Sequence, residues 1–166
     1  DFKAAFPSLS RSFLIESLKK IGVGEEGLQT IMNMYYDNFT TIKYGDSISP
    51  PFAMTRGVRQ GCPLSPLLFA LVSDAFLEEL DSIITSGSAR AFADDTACAI
   101  SNLGIDLAPL KVAFQQLEEV SGLELNFKKT IFIPLDNHEY IESLVQEEGD
   151  SWSEVSIQGV SKYLGF

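Results

Sequence analysis

The chain has 166 residues, of which 45% are hydrophobic, and this composition fits one globular domain with its own apolar core. No apolar run approaches the roughly 20 residues that a membrane-spanning helix needs, so we expect no membrane partner. The formal net charge of −11 argues against a polynucleotide-binding protein on composition alone.

The negative charge is unevenly distributed along the chain. Residues 1–65 carry seven basic and six acidic residues, residues 66–135 carry four and ten, and residues 136–166 carry one and seven. Much of the excess therefore lies in a polar C-terminal segment that is typical of a solvated surface. A polynucleotide could still bind against the first third, which composition neither supports nor excludes.

The cysteines and the first residues bear on where the protein acts. Cys62 and Cys98 lie in apolar stretches without ligand spacing, which favours reduced thiols over a disulfide framework. The sequence shows no secretory signal at its start, so we expect an intracellular protein of the cytoplasm, the nucleus or both. It opens on Asp1 rather than on Met, and we expect it to be a piece of a longer protein.

The first sixty residues predict a strand end, two helices and a hairpin. Apolar residues recur at helical spacing in two stretches, and a later stretch alternates as a half-buried strand does. In chain order, the predicted elements are a strand end at residues 1–6, a helix from a Ser8 or Ser10 cap to Gly22, a helix over residues 25–36, and strands over residues 39–44 and 52–55.

A loop rich in glycine and proline follows over residues 56–66 and carries two arginines. Ser65 and Pro66 are typical of a helix N-cap and first helical position, and they predict a mostly buried helix over Leu67–Leu80. A core helix does not need a basic, amide-bearing loop before it. We therefore interpret residues 59–61, Arg-Gln-Gly, as functional rather than structural.

Two adjacent aspartates, Asp94 and Asp95, interrupt the apolar run of residues 91–100. The flanking residues predict two short strands, with the two aspartates as the turn between them. Two like charges in a half-buried place repel, and a divalent cation would relieve this because carboxylate oxygens are ligands that Mg²⁺ prefers. A polar hairpin turn without a metal explains the pair equally well.

The rest of the chain predicts further helices and short strands without an internal repeat, so one domain over residues 1–166 is the simplest account. His138 stands alone in a polar segment and is interpreted as a surface histidine. The predicted elements are a helix over residues 106–120 closed by Gly122, an extended segment at 123–126, a strand at 130–133, a short helix at 139–147, and strands at 155–157 and 160–166.

Five motifs in this order resemble the reverse transcriptase domain of non-LTR retrotransposons and, more loosely, group II intron reverse transcriptases. They cover essentially the whole chain, and the Arg-Gln-Gly block with its Pro-Leu-Ser-Pro continuation is the most specific. The motifs are residues 1–6 (DFKAAF), 56–66 (RGVRQGCPLSP), 92–95 (FADD), 122–130 (GLELNFKKT) and 162–165 (KYLG). The resemblance implies an α+β fold, a polymerase palm with an antiparallel sheet packed on helices.

The resemblance also implies a two-metal site for nucleotidyl transfer. Asp1 and Asp94 match the metal-binding carboxylates, Asp95 matches a supporting carboxylate, and the backbone of Phe2 completes the set. The implied cofactor is a pair of Mg²⁺ ions, with Mn²⁺ as a substitute. Lys129 matches the lysine that protonates the leaving pyrophosphate, and its spacing from Asn126 favours it over its neighbour Lys128.

Substrate and nucleic-acid contacts follow from the same match. The implied partners are dNTPs, a DNA primer and an RNA template. Phe6 matches the steric gate that excludes a 2′-hydroxyl, although a core aromatic is its ordinary reading. The remaining matched residues are Ala4, Ala5, Gln60 and Gly61 for the dNTP, and Arg59, Tyr163, Leu164 and Gly165 for nucleic acid.

Two departures from the family pattern matter. Pro7 stands where many relatives carry a second aspartate, and we expect activity to survive this change because that aspartate is not a metal ligand. Fingers and thumb regions are missing from residues 1–166, so we expect this piece to be inactive by itself. A truncated, catalytically inactive remnant or an RNA-binding or assembly domain is the alternative interpretation.

Overall fold

Apolar residues at helical spacing form the longest elements of this chain. The structure is a computed structural model and describes residues 1–147 and 151–161. The helices there differ widely in length because each extends only as far as its apolar stripe and its caps allow. They are α1 (Ala5–Ser8), α2 (Arg11–Ile21), α3 (Glu25–Tyr35), α4 (Ser65–Ile83), α5 (Leu103–Ser121) and α6 (His138–Glu147), followed by a 3₁₀ turn at Ser151–Glu154.

The strands pair two by two within the described ranges. Strand β1 pairs with β4, β2 with β3 and β5 with β6, all antiparallel, whereas β7 pairs with β8 in parallel. Their bounds are β1 (Phe39–Thr40), β2 (Lys43–Tyr44), β3 (Ser47–Ile48), β4 (Phe52–Ala53), β5 (Gly87–Phe92), β6 (Asp95–Ile100), β7 (Ile131–Phe132) and β8 (Ser156–Ile157). The α+β class is confirmed, and the assignment to a polymerase palm stays a prediction.

Local capping chemistry confirms the predicted start of α2 and the predicted glycine ends of α2 and α5. The Ser10 hydroxyl accepts a hydrogen bond from the Phe13 amide at 3.4 Å at the start of α2. Gly22 and Gly122 end α2 and α5 in the left-handed conformation, with φ of 95° and 74°. These ends depend on residues within one turn of each other, which is why the sequence predicts them.

Four element predictions were wrong in detail. The strand end predicted at residues 1–6 is limited to the bridge at Phe2, because Ala5 already begins α1. The predicted strand over residues 39–44 divides into β1 and β2, which belong to different two-stranded sheets. Ser65 is the first residue of α4 rather than its cap, because Leu64 occupies the cap position without a side-chain hydrogen bond. The helix is also longer than predicted, and Leu67, on its solvent side, is 56% exposed.

The main core lies around α4, which packs against α2, α5 and β5. Its buried residues on α4 lie on one face of the helix: Leu68, Phe69, Val72, Phe76 and Leu80. A second, smaller core of Leu103, Leu107, Leu125, Trp152 and Val155 includes residues from the first two turns of α5. Ile100 and Phe114 pack against both cores and join them.

None of the helices in the described part of the chain has the length and apolarity that crossing a membrane requires.

Candidate active site

The aspartate pair lies at the tip of the β5–β6 hairpin. Strands β5 and β6 pair over six residues each, with Phe92 opposite Asp95, so the loop consists of Ala93 and Asp94. Ala93 has a φ of 53°, as the first position of a two-residue hairpin loop requires. The prediction that both aspartates form the turn was wrong, because Asp95 pairs with Phe92 and begins β6. Asp94 is half-buried and Asp95 is exposed.

Two carboxylates, one exposed and one buried, hold the base of this hairpin. Asp81, near the end of α4, accepts a hydrogen bond from the Ala89 amide at 2.5 Å. Asp106 on α5 is 1% exposed and accepts bonds from the amide and hydroxyl of Thr85, at 3.2 and 2.6 Å. Sequence reasoning missed both residues. Asp106 carried a signal, since it lies on the apolar side of α5 beside Leu107.

Backbone hydrogen bonds place Asp1 beside the segment after α5. The Asn126 amide donates to the Asp1 carbonyl at 2.9 Å, and the Lys3 amide donates to the Glu124 carbonyl at 2.8 Å. Between them, Phe2 forms an antiparallel bridge with Leu125. The first and fourth motifs are therefore joined as neighbouring extended segments.

The Phe2 side chain anchors this arrangement in the core. Its ring is 6.5 Å from that of Phe76 and 6.3 Å from that of Phe114, centroid to centroid, and the residue is 6% exposed. Adjacent residues of an extended chain point to opposite sides, so burial of Phe2 directs Asp1 away from the core. The Asp1 side chain is 20% exposed.

Lys129 pairs directly with Asp1. Its Nζ lies 3.0 Å from Oδ2 of the Asp1 carboxylate, while its own amide donates to the Asn126 carbonyl at 3.0 Å. The preference for Lys129 over Lys128 rested on the spacing from Asn126. That spacing closes the turn that brings Lys129 to Asp1 in the structure.

The hairpin packs beside the residue that follows Asp1. Phe2 lines one small cavity together with Ala91 of β5 and Thr96 of β6, the paired residues just below the aspartate turn. The structure thus brings three of the predicted site segments together from distant parts of the chain.

The donor chemistry of these residues fits a hard divalent cation, because all the predicted side-chain ligands are carboxylate oxygens. Within residues 1–147 and 151–161, however, no three histidine, cysteine or acidic side chains lie close enough to hold one ion together. The metal set of Asp1, Asp94, Asp95 and the Phe2 backbone therefore stays a prediction.

Phe6 and the glycine-rich loop form the neighbouring part of the site. The Phe6 ring stacks on Phe69 of α4, with centroids 4.9 Å apart and planes 17° apart. The Val58 amide donates to the Phe6 carbonyl at 2.9 Å. Gly57 has a φ of 79°, and a Cβ there would lie 2.5 Å from the Pro7 carbonyl oxygen. The loop therefore reaches Phe6 only because residue 57 has no side chain.

Arg11 holds the same loop from the side of α2, which sequence reasoning missed and no pattern in the sequence indicated. Its guanidinium donates to the carbonyls of Gly57, Arg56 and Tyr35 at 3.2, 3.3 and 3.0 Å. It also lies 5.0 Å from the centre of the Tyr35 ring. These bonds tie the loop to α2 and α3 at its entry.

The residues predicted to contact the nucleotide and nucleic acid differ in exposure and in hydrogen bonding. Gln60 and Gly61 are exposed beyond the Val58 anchor, as is Ala4, whereas Ala5 is buried. The Arg59 guanidinium donates to the side chain of Asn38. Its predicted phosphate contact is untested, and Arg59 would have to share its donors with Asn38 to make it.

The last motif cannot be placed, because Tyr163, Leu164 and Gly165 lie outside the described residues. The strand predicted over residues 160–166 lies almost wholly outside them too.

The whole chain, residues 1–166, matches the family described as reverse transcriptase (RNA-dependent DNA polymerase). The chain belongs to the reverse transcriptase family. The resemblance found in the five motifs is thereby confirmed, and the geometry above describes a reverse transcriptase domain.

Similar proteins come from retrotransposable elements. A Pol polyprotein from the type-2 element R2DM of Drosophila melanogaster is 33% identical over 136 residues, which cover 78% of this chain and 13% of the relative. A Pol polyprotein from the type-1 element R2 of Popillia japonica is 33% identical over 145 residues, which cover 80% of this chain and 20% of the relative. The transposon TX1 uncharacterized 149 kDa protein of Xenopus laevis is 28% identical over 139 residues, which cover 78% of this chain and 11% of the relative. The chain thus spans a fifth or less of these relatives.

Proposed function

We propose that this reverse transcriptase domain is the palm of a retroelement polymerase that adds dNTPs to a DNA primer on an RNA template. The observation that carries this proposal is the convergence of three segments: Lys129 pairs with Asp1, and Phe2 packs beside the two strands that carry the Asp94 turn. The retrotransposon Pol polyproteins among its relatives support the same substrate class. We further propose that it acts inside the cell, in the cytoplasm, the nucleus or both.

The acidic residues are assigned to metal binding. Asp1 and Asp94, supported by Asp95 and the Phe2 carbonyl, would hold two Mg²⁺ ions, or Mn²⁺ in their place. When bound, such ions activate the primer 3′-hydroxyl and neutralise the triphosphate. The protein contributes oxygen donors on a backbone that is held by the Phe2–Leu125 bridge and by the hairpin.

The remaining residues are assigned to substrate positioning. The backbone of Ala4 and Ala5 would face the triphosphate. Phe6 would exclude a 2′-hydroxyl, since its ring is held flat against Phe69. Gln60 and Gly61 would contact the incoming nucleotide from the exposed end of their loop. In the nucleic-acid set, Arg59 would contact a phosphate, and Tyr163, Leu164 and Gly165 would hold the primer strand.

Lys129 is assigned to proton transfer. Its ammonium would donate a proton to the leaving pyrophosphate, which makes the lysine a general acid. Its position beside Asp1 supports this role, because the triphosphate would lie against the same carboxylate end of the domain.

Primer extension by the complete protein tests the proposal. With an RNA template, a DNA primer, dNTPs and Mg²⁺, we expect extension that Asp94→Asn lowers by at least about a hundredfold, since a metal site supplies several kcal/mol of transition-state stabilisation. Asp74→Asn is the matched control, because Asp74 is an exposed aspartate on α4. It should retain wild-type extension.

Absence of Mg²⁺-dependent extension in a folded, complete protein would contradict the proposal. Retained binding of RNA without extension would instead favour an inactive remnant that serves in RNA binding or assembly. Equal activity of wild type and Asp94→Asn would show that the site is elsewhere.

A further inference from the structure

The Asp1–Lys129 ion pair occupies a carboxylate that the proposed function assigns to a metal. Oδ2 of Asp1 lies 3.0 Å from the Lys129 ammonium, and the carboxylate side chain is only 20% exposed. Lys129 itself is 67% exposed, so its ammonium reaches this oxygen from the solvent side. The pair therefore joins a largely buried carboxylate to an exposed ammonium.

The backbone makes this pairing a feature of the fold. Asn126 connects the two partners, because its amide donates to the Asp1 carbonyl at 2.9 Å and its carbonyl accepts from the Lys129 amide at 3.0 Å. Asn126 thus bonds to the backbone of Asp1 and begins the turn that ends at Lys129. Lys128 precedes it in the same turn but makes no ion pair with Asp1 in the described structure.

A metal that binds Oδ2 of Asp1 would compete with the ammonium for that oxygen. Mg²⁺ binds carboxylate oxygens at about 2.0–2.1 Å and requires a full octahedral shell, which leaves no room for an ammonium hydrogen bond along the same lone pair. A lysine charge beside the site also repels a dication, with an energy that is reduced but not removed by solvent.

We propose that Lys129 is an internal counter-ion for Asp1 that a divalent cation must displace. In the absence of metal, the ammonium neutralises the carboxylate of Asp1. When a cation binds Asp1, the ammonium is released on its flexible stem and becomes free to reach phosphate oxygens nearby. This inference rests on the proposed function, because it concerns the same metal site.

Binding of Mn²⁺ in the absence of nucleotide and nucleic acid tests this role. Free Mn²⁺ is measured by electron paramagnetic resonance during titration of the complete protein. Surface ion pairs contribute up to about 1 kcal/mol, and this pair should lie near that limit because the Asp1 side chain is only 20% exposed, so we expect Lys129→Met to tighten Mn²⁺ binding by about three- to fivefold. Lys128→Met removes the same charge from the neighbouring position and should change the affinity by less than about 1.5-fold.

A double-mutant cycle separates the ion pair from general electrostatics. Asp1→Asn should weaken Mn²⁺ binding, and in that background Lys129→Met should no longer tighten it. Equal effects of the two lysine variants would overturn the counter-ion role, because the field of either charge would then explain them. Unchanged or weaker binding in Lys129→Met would overturn it as well.

The same titration distinguishes failure of this inference from failure of the proposed function. Mn²⁺ binding that Asp94→Asn weakens but Lys129→Met leaves unchanged would overturn the counter-ion role and leave the metal site intact. Mn²⁺ binding that neither Asp1→Asn nor Asp94→Asn affects would overturn both.

Discussion

Two alanines beside the predicted metal ligands adopt the left-handed backbone conformation. Ala4 has a φ of 46° and Ala93 a φ of 53°, and each costs about 1–2 kcal/mol relative to an ordinary conformation. Ala4 precedes α1, and Ala93 forms the hairpin loop with Asp94. Such local strain is concentrated at functional sites in proteins, where the surrounding structure maintains it. Ala4 belongs to the first motif and Ala93 to the third.

At the residue scale, the two free cysteines should differ in reactivity. Burial raises the pKa of the Cys98 thiol to about 11, whereas hydrogen bonding from the Leu64 backbone lowers the pKa of Cys62. Since the thiolate is the nucleophile, only about one Cys98 in a thousand is ionised at pH 8. We expect iodoacetamide to modify Cys62 at least about tenfold faster, as measured by mass spectrometry over time.

The rate at which Cys98 is modified should increase with pH. Cys98 gains thiolate as the pH rises toward about 11, so its modification should accelerate by about tenfold per pH unit between pH 8 and 10. In denaturant both cysteines should react alike. Equal rates in the folded protein at pH 8 would contradict the burial of Cys98.

At the element scale, close contacts between loops and helices shape the site. The loop before α4 runs against α1, since the Gly57 amide donates to the Leu9 carbonyl at 2.8 Å and the Val58 amide donates to the Phe6 carbonyl at 2.9 Å. The hairpin β5–β6 is held at its base by Asp81 and Asp106. The loop and the hairpin of the candidate site are thus each anchored to neighbouring elements at one end.

Gly57→Ala should displace the loop. The added Cβ would lie 2.5 Å from the Pro7 carbonyl oxygen, and alanine is also disfavoured at a φ of 79°. Gly45→Ala is the control, because Gly45 also has a positive φ, of 58°, but nothing within 4 Å of the added Cβ. We expect Gly57→Ala to lower the free energy of unfolding by about 1–3 kcal/mol more than the control.

Hydrogen exchange locates the effect. The Val58 amide should lose protection in Gly57→Ala and keep it in Gly45→Ala. Equal protection of the Val58 amide in the two variants would show that the close approach to Pro7 does not require glycine at position 57.

At the scale of the whole molecule, two cores meet at one aromatic residue. The Phe114 ring lies 5.2 Å from Phe76 and 6.3 Å from Phe2 in the main core, and 6.0 Å from Trp152 in the smaller one. The residues that follow α5, including the partner segment of Asp1, depend on this junction for their position. Stability and site geometry are therefore coupled through Phe114.

Phe114→Ala should destabilise the domain by about 3 kcal/mol, because it removes a large side chain from both cores. Phe92→Ala, at a position that is 68% exposed, should change the free energy of unfolding by less than about 0.5 kcal/mol. Denaturant titration followed by Trp152 fluorescence measures both. A small effect of Phe114→Ala would mean that the two cores are independent.

Much of the domain follows from its sequence alone. The caps of α2 and the glycine ends of α2 and α5 were predicted because they depend on residues within one turn. The family and its motif order were predicted from short, specific blocks. Ser65 as a cap and a single strand over residues 39–44 were wrong, because neighbouring packing rather than local preference decides those details.

Only the tertiary structure decided how the site is assembled. The pairing of Asp1 with Lys129, the bond from Thr85 to Asp106 and the fit of Gly57 against Pro7 join residues that are far apart in the chain. Helical periodicity and capping act over a few residues and carry no information about such contacts. Long-range contacts depend on how all the helices and sheets pack together, so they can be identified only in the folded domain.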